Sequence, residues 1–151
     1  MFATAIVAAL ALQVAATGQT APFLLNGDFE QWREVTLGPD GLVSGWTLGD
    51  PPLVPTGWSL NSAYPGRLEV GSHQPHSGTS FVRITAPEGA IAHLYQMCTG
   101  LEAGQWYRVS AWTRGGSVTL SFYEYFPDRI GGQTVVQRVT RAEDWQLIWG
   151  Y

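Results

Sequence analysis

The sequence predicts an all-β domain built as an antiparallel sandwich of two sheets, and three observations support this prediction. After residue 18, no stretch of a dozen residues repeats apolar side chains with the 3.6-residue period of a helix, whereas alternation with period two recurs. The alternating segments are short and rich in β-branched and aromatic residues. Turn sequences rich in glycine, proline and aspartate separate them, as at Gly38–Gly41, Gly115-Gly116 and Gly131-Gly132.

The predicted strands follow one another closely along the chain. They are residues 23–30, 58–61, 68–71, 80–85, 91–97, 106–113, 118–126, 134–140 and 145–151. About nine short strands over roughly 130 residues are typical of a jelly-roll sandwich. Residues 38–55 interrupt the pattern and are predicted to form a long irregular surface loop, the kind of segment that often carries function.

Residues 1–18 have the features of a secretory signal peptide. Residues 1–16 carry no charge, and their apolar run is too short to span a bilayer comfortably. Small residues suited to cleavage follow it. The lack of a positive residue after Met1 leaves a short buried helix or an uncleaved anchor as alternatives. We therefore expect residues 19–151 to form the mature module, secreted or at the cell surface, without a membrane span.

Composition narrows the class of protein further. Charged residues make up 13% of the 151 residues, against about 25% in typical domains, while 45% are hydrophobic, which excludes disorder for most of the chain. The net charge is −4, lysine is absent, and the eight arginines are scattered, so no basic stripe for nucleic acid is expected. The single cysteine, Cys98, cannot form an intrachain disulfide and is expected to be a small buried hydrophobe.

The C-terminal sequence resembles the interior of a strand. Residues 145–151 read WQLIWGY, and no turn or polar tail follows them. A sandwich that stopped there would expose an apolar edge, which natural proteins avoid. We therefore expect the sequence to be a fragment that lacks one closing strand.

Five motifs occur in a recognisable order. They are LLNGDFE at 24–30, PTGW at 55–58, HSGTSFVRI at 76–84, YQ at 95–96 and GQWYRVSAWTRG at 104–115. In this order the chain resembles the carbohydrate-binding modules of the galactose-binding-like jelly-roll superfamily, of the type of families 4, 9, 16 and 22. The resemblance covers residues 23–150. It implies noncatalytic glycan binding beside a glycoside hydrolase or another secreted enzyme, and a structural calcium ion completed by a carboxylate on the final strand.

Strand alternation separates a predicted core face from a predicted open face. In residues 106–114, Tyr107, Val109 and Ala111 share one face and are expected to be core. The other face carries Trp106, Arg108, Ser110, Trp112 and Arg114. In residues 118–125, Val118, Leu120 and Phe122 form the apolar face, opposite Thr119, Ser121, Tyr123 and Tyr125.

A pyranose has an apolar C–H face and a polar rim, so its binding site needs flat amphipathic rings beside hydrogen-bonding side chains. The predicted ring residues are Trp112, Tyr123 and Tyr125, and the predicted rim residues are Arg114, Arg108 and Gln96. The alternative is that the missing strand or the 38–55 loop covers these rings. Trp58 is expected to be core, and Trp46 is left undecided between core and ligand contact.

The candidate metal ligands are Asp28 and Glu30, which are two residues apart and would share one face of the first predicted strand. This spacing suits oxygen ligation of a structural calcium ion, and the resemblance places a ligand near Glu30. A salt bridge or a turn hydrogen bond is the alternative. His73 and His76 flank a proline turn without a cysteine pair, so zinc is not expected there.

The functional prediction is a secreted, noncatalytic polysaccharide-binding module that targets an attached enzyme or a surface protein to glycan. The alternative is a structural or adhesive β-sandwich of a secreted or cell-surface protein with a protein partner. The chain itself is not expected to be an enzyme, because it has no nucleophile elbow, phosphate-binding glycine loop or zinc-protease helix motif. A catalytic domain could follow in a longer parent protein.

Overall fold

A computed structural model describes the backbone of residues 2–14, 24–99, 101, 105–125 and 130–151, and the side chains of 24–99, 101, 105–123 and 131–151. The described residues contain no helix, which confirms the all-β prediction. The strands are β1 (Phe2–Val14), β2 (Trp32–Glu34), β3 (Thr47–Leu48), β4 (Leu53–Pro55), β5 (Ser59–Leu60), β6 (Arg67–Gly71), β7 (Phe81–Pro87), β8 (Leu94–Tyr95), β9 (Tyr107–Gly115), β10 (Val118–Tyr125), β11 (Ile130–Val139) and β12 (Ala142–Gly150).

The strands form two layers. One layer is a six-stranded sheet in the order β12-β9-β1-β7-β6-β3, antiparallel except for the short parallel pair β3–β6. The other layer consists of three two-stranded antiparallel sheets, β10–β11, β2–β4 and β5–β8. Apolar side chains of both layers meet between them, so the arrangement is a β-sandwich.

The N-terminal segment lies at the centre of the large sheet. β1 is antiparallel to β7 on one side and to β9 on the other, with a bulge between Val7 and Ala9. A strand in this position has hydrogen-bonding partners on both edges. The assignment of residues 1–18 to a signal peptide stays a prediction. No helix able to cross a membrane occurs in the described part of the chain.

The core has one large apolar cluster and smaller ones beside it. The large cluster contains Phe29, Trp46, Leu48, Val54, Trp58, Leu68, Val82 and Ile84. Trp46 is 0% exposed, and its Nε1 donates a hydrogen bond to the Asn61 carbonyl at 3.0 Å. Trp46 is therefore core, and the prediction of Trp58 as core is confirmed. Since Trp46, β3 and β4 all lie within residues 38–55, the prediction of a long irregular surface loop there was wrong.

The prediction of a first strand at residues 23–30 was also wrong. Residues 24–28 form turns, and strand pairing begins only at Trp32. The physical reason is the backbone at Asn26 and Phe29, whose φ angles of 49° and 58° are incompatible with a strand. The Asn26 side chain stabilises this turn, because its Nδ2 donates to the Gln31 and Thr56 carbonyls and its Oδ1 accepts from the Gln31 amide.

The remaining predicted strands are found with shifted ends. The segment 91–97 shortens to β8, which pairs only with β5. Gly131 and Gly132, predicted as a turn, lie inside β11, which starts at Ile130. Cys98 is free and half-buried, in contact with the cluster around Leu24 and Val109.

We expect the Trp46→Ala substitution to lower the free energy of unfolding by about 3–5 kcal/mol, because it opens a large cavity in the core. The matched control is Trp106→Ala, at a tryptophan that is 68% exposed, which should change stability by less than about 1 kcal/mol. Urea denaturation followed by circular dichroism measures both. Equal losses for the two variants would contradict the core described here.

Candidate functional site

The two-residue alternation of β9 places its side chains on two different surfaces. Val109, Ala111 and Thr113 are buried and face the second layer, where Val109 contacts the β10–β11 cluster. The alternate residues are only half-buried and face away from that layer. Arg108, Ser110, Trp112 and Arg114 are these residues. The structure thus confirms the predicted division of this strand.

The neighbouring strand β12 extends the same surface. Leu147 lies opposite Trp112 and Trp149 lies opposite Ser110, while Ile148 between them is 1% exposed and points into the sandwich. Directly paired residues share one face of a sheet. We call this surface the outer face. It carries Arg108, Ser110, Trp112 and Arg114 from β9 and Trp145, Leu147 and Trp149 from β12.

Arginine side chains are packed on the indole rings of the outer face. The Arg108 guanidinium carbon lies 4.8 Å from the centre of the Trp149 ring, and that of Arg114 lies 4.8 Å from the Trp145 ring. Such contacts are cation–π interactions. Trp149 remains 46% exposed, and the exposed Tyr151 ring meets it edge-on at 6.0 Å. The outer face therefore offers open aromatic surface beside guanidinium donors.

The Trp112 ring is covered on one side. The His76 imidazole stacks on it with ring centres 3.8 Å apart and planes 20° apart. His76 also meets Trp145 edge-on at 6.0 Å, and the Trp145 Nε1 donates to the Gln74 carbonyl at 3.2 Å. Among the described residues, the cover is thus the loop between β6 and β7. The sequence offered the missing strand or the 38–55 segment as the cover. One face of the Trp112 ring therefore packs against His76 and is not available to a ligand.

Tyr123 does not join Trp112. On β10 the side chains of Leu120 and Phe122 pack into the sandwich, so Tyr123 points out of the second layer, on the opposite side of the molecule from the outer face. Its ring lies 5.6 Å from the His93 ring. The side chain of Tyr125 lies outside the described residues. Trp112 and Tyr123, which the sequence predicted to share one patch, therefore lie on two different surfaces. Alternation assigns a side chain to one face of its strand, but it does not show which layer the strand joins.

The amide of Gln96 is used inside the fold. Its Oε1 accepts from the Leu25 amide at 2.8 Å, and its Nε2 donates to the Leu25 and Gly57 carbonyls at 3.0 and 2.9 Å. Gly57 has a φ of +84°, and a Cβ there would lie 3.1 Å from that Nε2. Gln96 therefore connects the N-terminal turn to the turn before β5, and it lies apart from the outer face.

The Glu30 carboxylate is held by the turn that precedes β7. It accepts hydrogen bonds from the Thr79 amide at 2.8 Å, the Thr79 hydroxyl and the Ser80 amide at 3.0 Å. A Cβ at Gly78 would collide with this carboxylate, and its φ of +64° also favours glycine. The hydrogen bond from the Thr79 side chain, followed by that from the Ser80 amide, lowers the pKa of Glu30 below its usual 4.5.

Asp28 and Glu30 do not form a calcium site by themselves. Asp28 lies in a turn and accepts only a long 3.4 Å hydrogen bond from the Glu30 amide. Calcium takes about six to eight oxygen ligands, and the described residues contain no group of three or more acidic, histidine or cysteine side chains able to share a metal ion. The hydrogen-bonded turn is the arrangement that the structure shows, and calcium binding stays a prediction.

The second layer contains a separate cavity of about 300 Å³. Arg33, Trp58 and Tyr95 line it together with aliphatic side chains. Trp58 is only 5% exposed, so its ring serves the core rather than the cavity. Nearby, burial lowers the pKa of the half-buried His93, whose ring lies within hydrogen-bonding distance of the Asn61 amide.

Sequence reasoning missed Trp145 and Trp149 as site residues. The signal was present, since Trp145, Leu147, Trp149 and Tyr151 alternate through the last segment. What the sequence did not show is that β12 pairs with β9, which places these rings beside Arg108 and Arg114.

Comparisons with models of protein families, with curated proteins and with solved structures found no match for the chain.

We expect Glu30→Gln to lower the free energy of unfolding by about 1–2 kcal/mol near pH 7, because it removes charge-assisted hydrogen bonds to residues 79–80. A pKa that is lower in the folded state stabilises the fold above the ordinary value of 4.5, and this contribution disappears as the pH falls through the folded pKa. The stabilities of wild type and variant should therefore converge as the pH falls from above 4.5 through the folded pKa of Glu30.

Urea denaturation at several pH values tests this expectation. Glu34→Gln is the matched control, since Glu34 is an exposed glutamate on β2 and its replacement removes the same charge. A constant difference between wild type and Glu30→Gln across this range would show that the Glu30 charge does not stabilise the turn.

Proposed function

We propose that the chain is a noncatalytic carbohydrate-binding module of the galactose-binding-like jelly-roll type, and that the outer face is its binding surface. The observation that supports this proposal best is the exposed Trp149 ring, with the Arg108 guanidinium packed on it and Tyr151 at its edge. Rings and donors at one place match the two surfaces of a sugar, its apolar C–H face and its hydroxyl rim.

The geometry suits an extended polymer. β9 and β12 run side by side over the stretch Ser110–Thr113 opposite Gln146–Trp149, so the outer face extends along the strands, and His76 covers it at Trp112. A polysaccharide can lie along the uncovered part of this face with a sugar ring on Trp149. Because Trp149 lies on an exposed surface and not in a closed pocket, both ends of the polymer can extend beyond it, which favours binding to chain interiors over chain ends.

Binding by one isolated module should be weak. Burying two or three rings contributes about 1.5–3 kcal/mol each, while association itself costs at least about 4 kcal/mol. At most about 5 kcal/mol then remains for binding, so the expected dissociation constant is about 0.2 mM or weaker. Such an affinity suits a module that keeps an attached enzyme or a surface protein near polysaccharide, and we propose that the chain forms or breaks no bond itself.

We expect Trp149→Ala to weaken binding by about tenfold or more, because burying one ring contributes about 1.5–3 kcal/mol. The control is Tyr123→Ala, at another exposed ring on the opposite side of the sandwich, 37% exposed against 46% for Trp149. Affinity electrophoresis in gels containing xylan, β-glucan, mannan or pectin measures retention of both variants. Loss of retention in Tyr123→Ala, with Trp149→Ala unchanged, would move the binding surface to the second layer.

The second candidate function is a structural or adhesive sandwich with a protein partner. The observation in its favour is that β12 is an edge strand with Leu147, Trp149 and Tyr151 exposed. A chain that is folded but retained by no polysaccharide would favour this function. Sedimentation velocity at increasing concentration would then show whether the partner is a second copy.

A further inference from the structure

Half of the eight arginines lie on one side of the six-stranded sheet. Strand pairing places Arg83 of β7 opposite Glu69 of β6, and both flank buried residues that point into the sandwich. Ile6 of β1 pairs with Arg83 of β7 on one side and with Arg114 of β9 on the other, so the two arginines lie in one row across the sheet. Arg108 follows on the same side of β9, and Arg67 on the same side of β6.

Acidic groups do not balance this charge. Glu69 pairs with Arg67 at 2.8 Å, and both side chains are at least partly exposed. Arg83, Arg108 and Arg114 form no ion pair with any carboxylate that the structure describes. The Arg108 Nε is buried and has no hydrogen-bond partner among the described residues. A chain with a net charge of −4 thus gathers three unpaired cations on one surface, with at least one donor that lacks an acceptor.

We propose, on the basis of the proposed function, that the ligand of the outer face is an acidic polysaccharide. Its carboxylate or sulfate groups pair with Arg108 and Arg114, while its sugar rings stack on Trp149. Guanidinium groups bind carboxylates and sulfates through two parallel hydrogen bonds. Contact with an indole ring keeps each guanidinium in place before the ligand binds.

The spacing of the arginines fits a repeating anion. Arg108 and Arg114 are six residues apart on one strand, which corresponds to about 20 Å. Arg114 and Arg83 are separated by one intervening strand, or about 10 Å. A polymer that lies along β9 with a charge on each sugar can meet both Arg108 and Arg114 without a matched register. Nucleic acid is the less suitable polyanion, because a few separated arginines on a chain of net charge −4 do not form the continuous basic surface that nucleic-acid binders use.

The test is affinity electrophoresis of the full chain in gels containing sodium polygalacturonate, dextran sulfate, or highly methyl-esterified pectin. The esterified pectin has the polygalacturonate backbone with most of its charge removed. The variants are Arg108→Gln and Arg114→Gln, and the matched control is Arg33→Gln, an exposed arginine of β2 in the second layer. Thermal unfolding confirms that each variant is folded. Single-stranded DNA serves as a competitor.

We expect retention by one of the two acidic polymers, at least fivefold weaker retention in esterified pectin, and a loss of about 5- to 10-fold in Arg108→Gln and Arg114→Gln but not in Arg33→Gln. Retention should also fall as salt rises. Whether polygalacturonate or dextran sulfate retains the chain identifies the anionic group.

Three results would overturn the inference. Retention by neutral polysaccharides that depends on Trp149 but not on Arg108 would reject the acidic ligand and keep the proposed function. Binding would be nonspecific attraction between charges if Arg33→Gln and Arg108→Gln lost retention equally, or if DNA competed fully with the acidic polymer. No retention of the folded chain in any acidic or neutral polymer would reject the proposed function together with this inference.

Discussion

Burial of one side of β9 is the constraint on which the rest of the site depends. Val109, Ala111 and Thr113 must face the second layer, and the period of a strand then forces Arg108, Ser110, Trp112 and Arg114 outward. β12 follows the same rule, since burial of Ile148 turns Leu147 and Trp149 to the same side. A one-residue slip between these strands would separate the rings from the guanidinium groups. The core thus fixes the arrangement of the surface.

Three of the motifs behind the resemblance, LLNGDFE, PTGW and YQ, lie in the framework of the fold. Asn26, Glu30 and Gln96 use their side chains to join the N-terminal turn to residues 55–58 and 79–80. Phe29 packs against Trp58 with ring centres 5.1 Å apart, and the Trp58 Nε1 donates to the Asn26 carbonyl. These contacts are direct hydrogen bonds and a ring contact between particular side chains. The arrangement of the outer face depends instead on which strands pair.

This difference explains how much could be predicted from the sequence. The all-β class and the two faces of β9 follow from alternation, which is a local property. The turn at residues 24–28 did not follow, because the backbone of Asn26 and Phe29 overrides an apparently strand-like pattern. The separation of Tyr123 from Trp112, the cover of Trp112 by His76 and the contact of Arg108 with Trp149 all depend on pairings between distant segments. Alternation alone contains no information on those pairings.

The two ends of the outer face differ in how closely their side chains are packed. At one end Trp112, Trp145 and His76 pack together over the buried Phe81, and Arg114 lies on Trp145. At the other end Trp149 and Tyr151 are exposed, and Trp149 is positioned by Arg108 and by a hydrogen bond from its backbone amide to the Gln137 side chain at 2.6 Å. The packed end positions the strands and Arg114, and the open end provides the exposed aromatic surface for a ligand.

The most direct test of this account is to follow the indole N–H signals of the seven tryptophans by NMR while polysaccharide is added to the ¹⁵N-labelled chain. If the outer face binds the ligand, the Trp149 signal shifts most, the Trp145 signal shifts less, and the signals of the buried Trp46 and Trp58 stay in place. Shifts confined to Trp58, which borders the cavity of the second layer, would contradict the account and place the ligand on the other side of the sandwich.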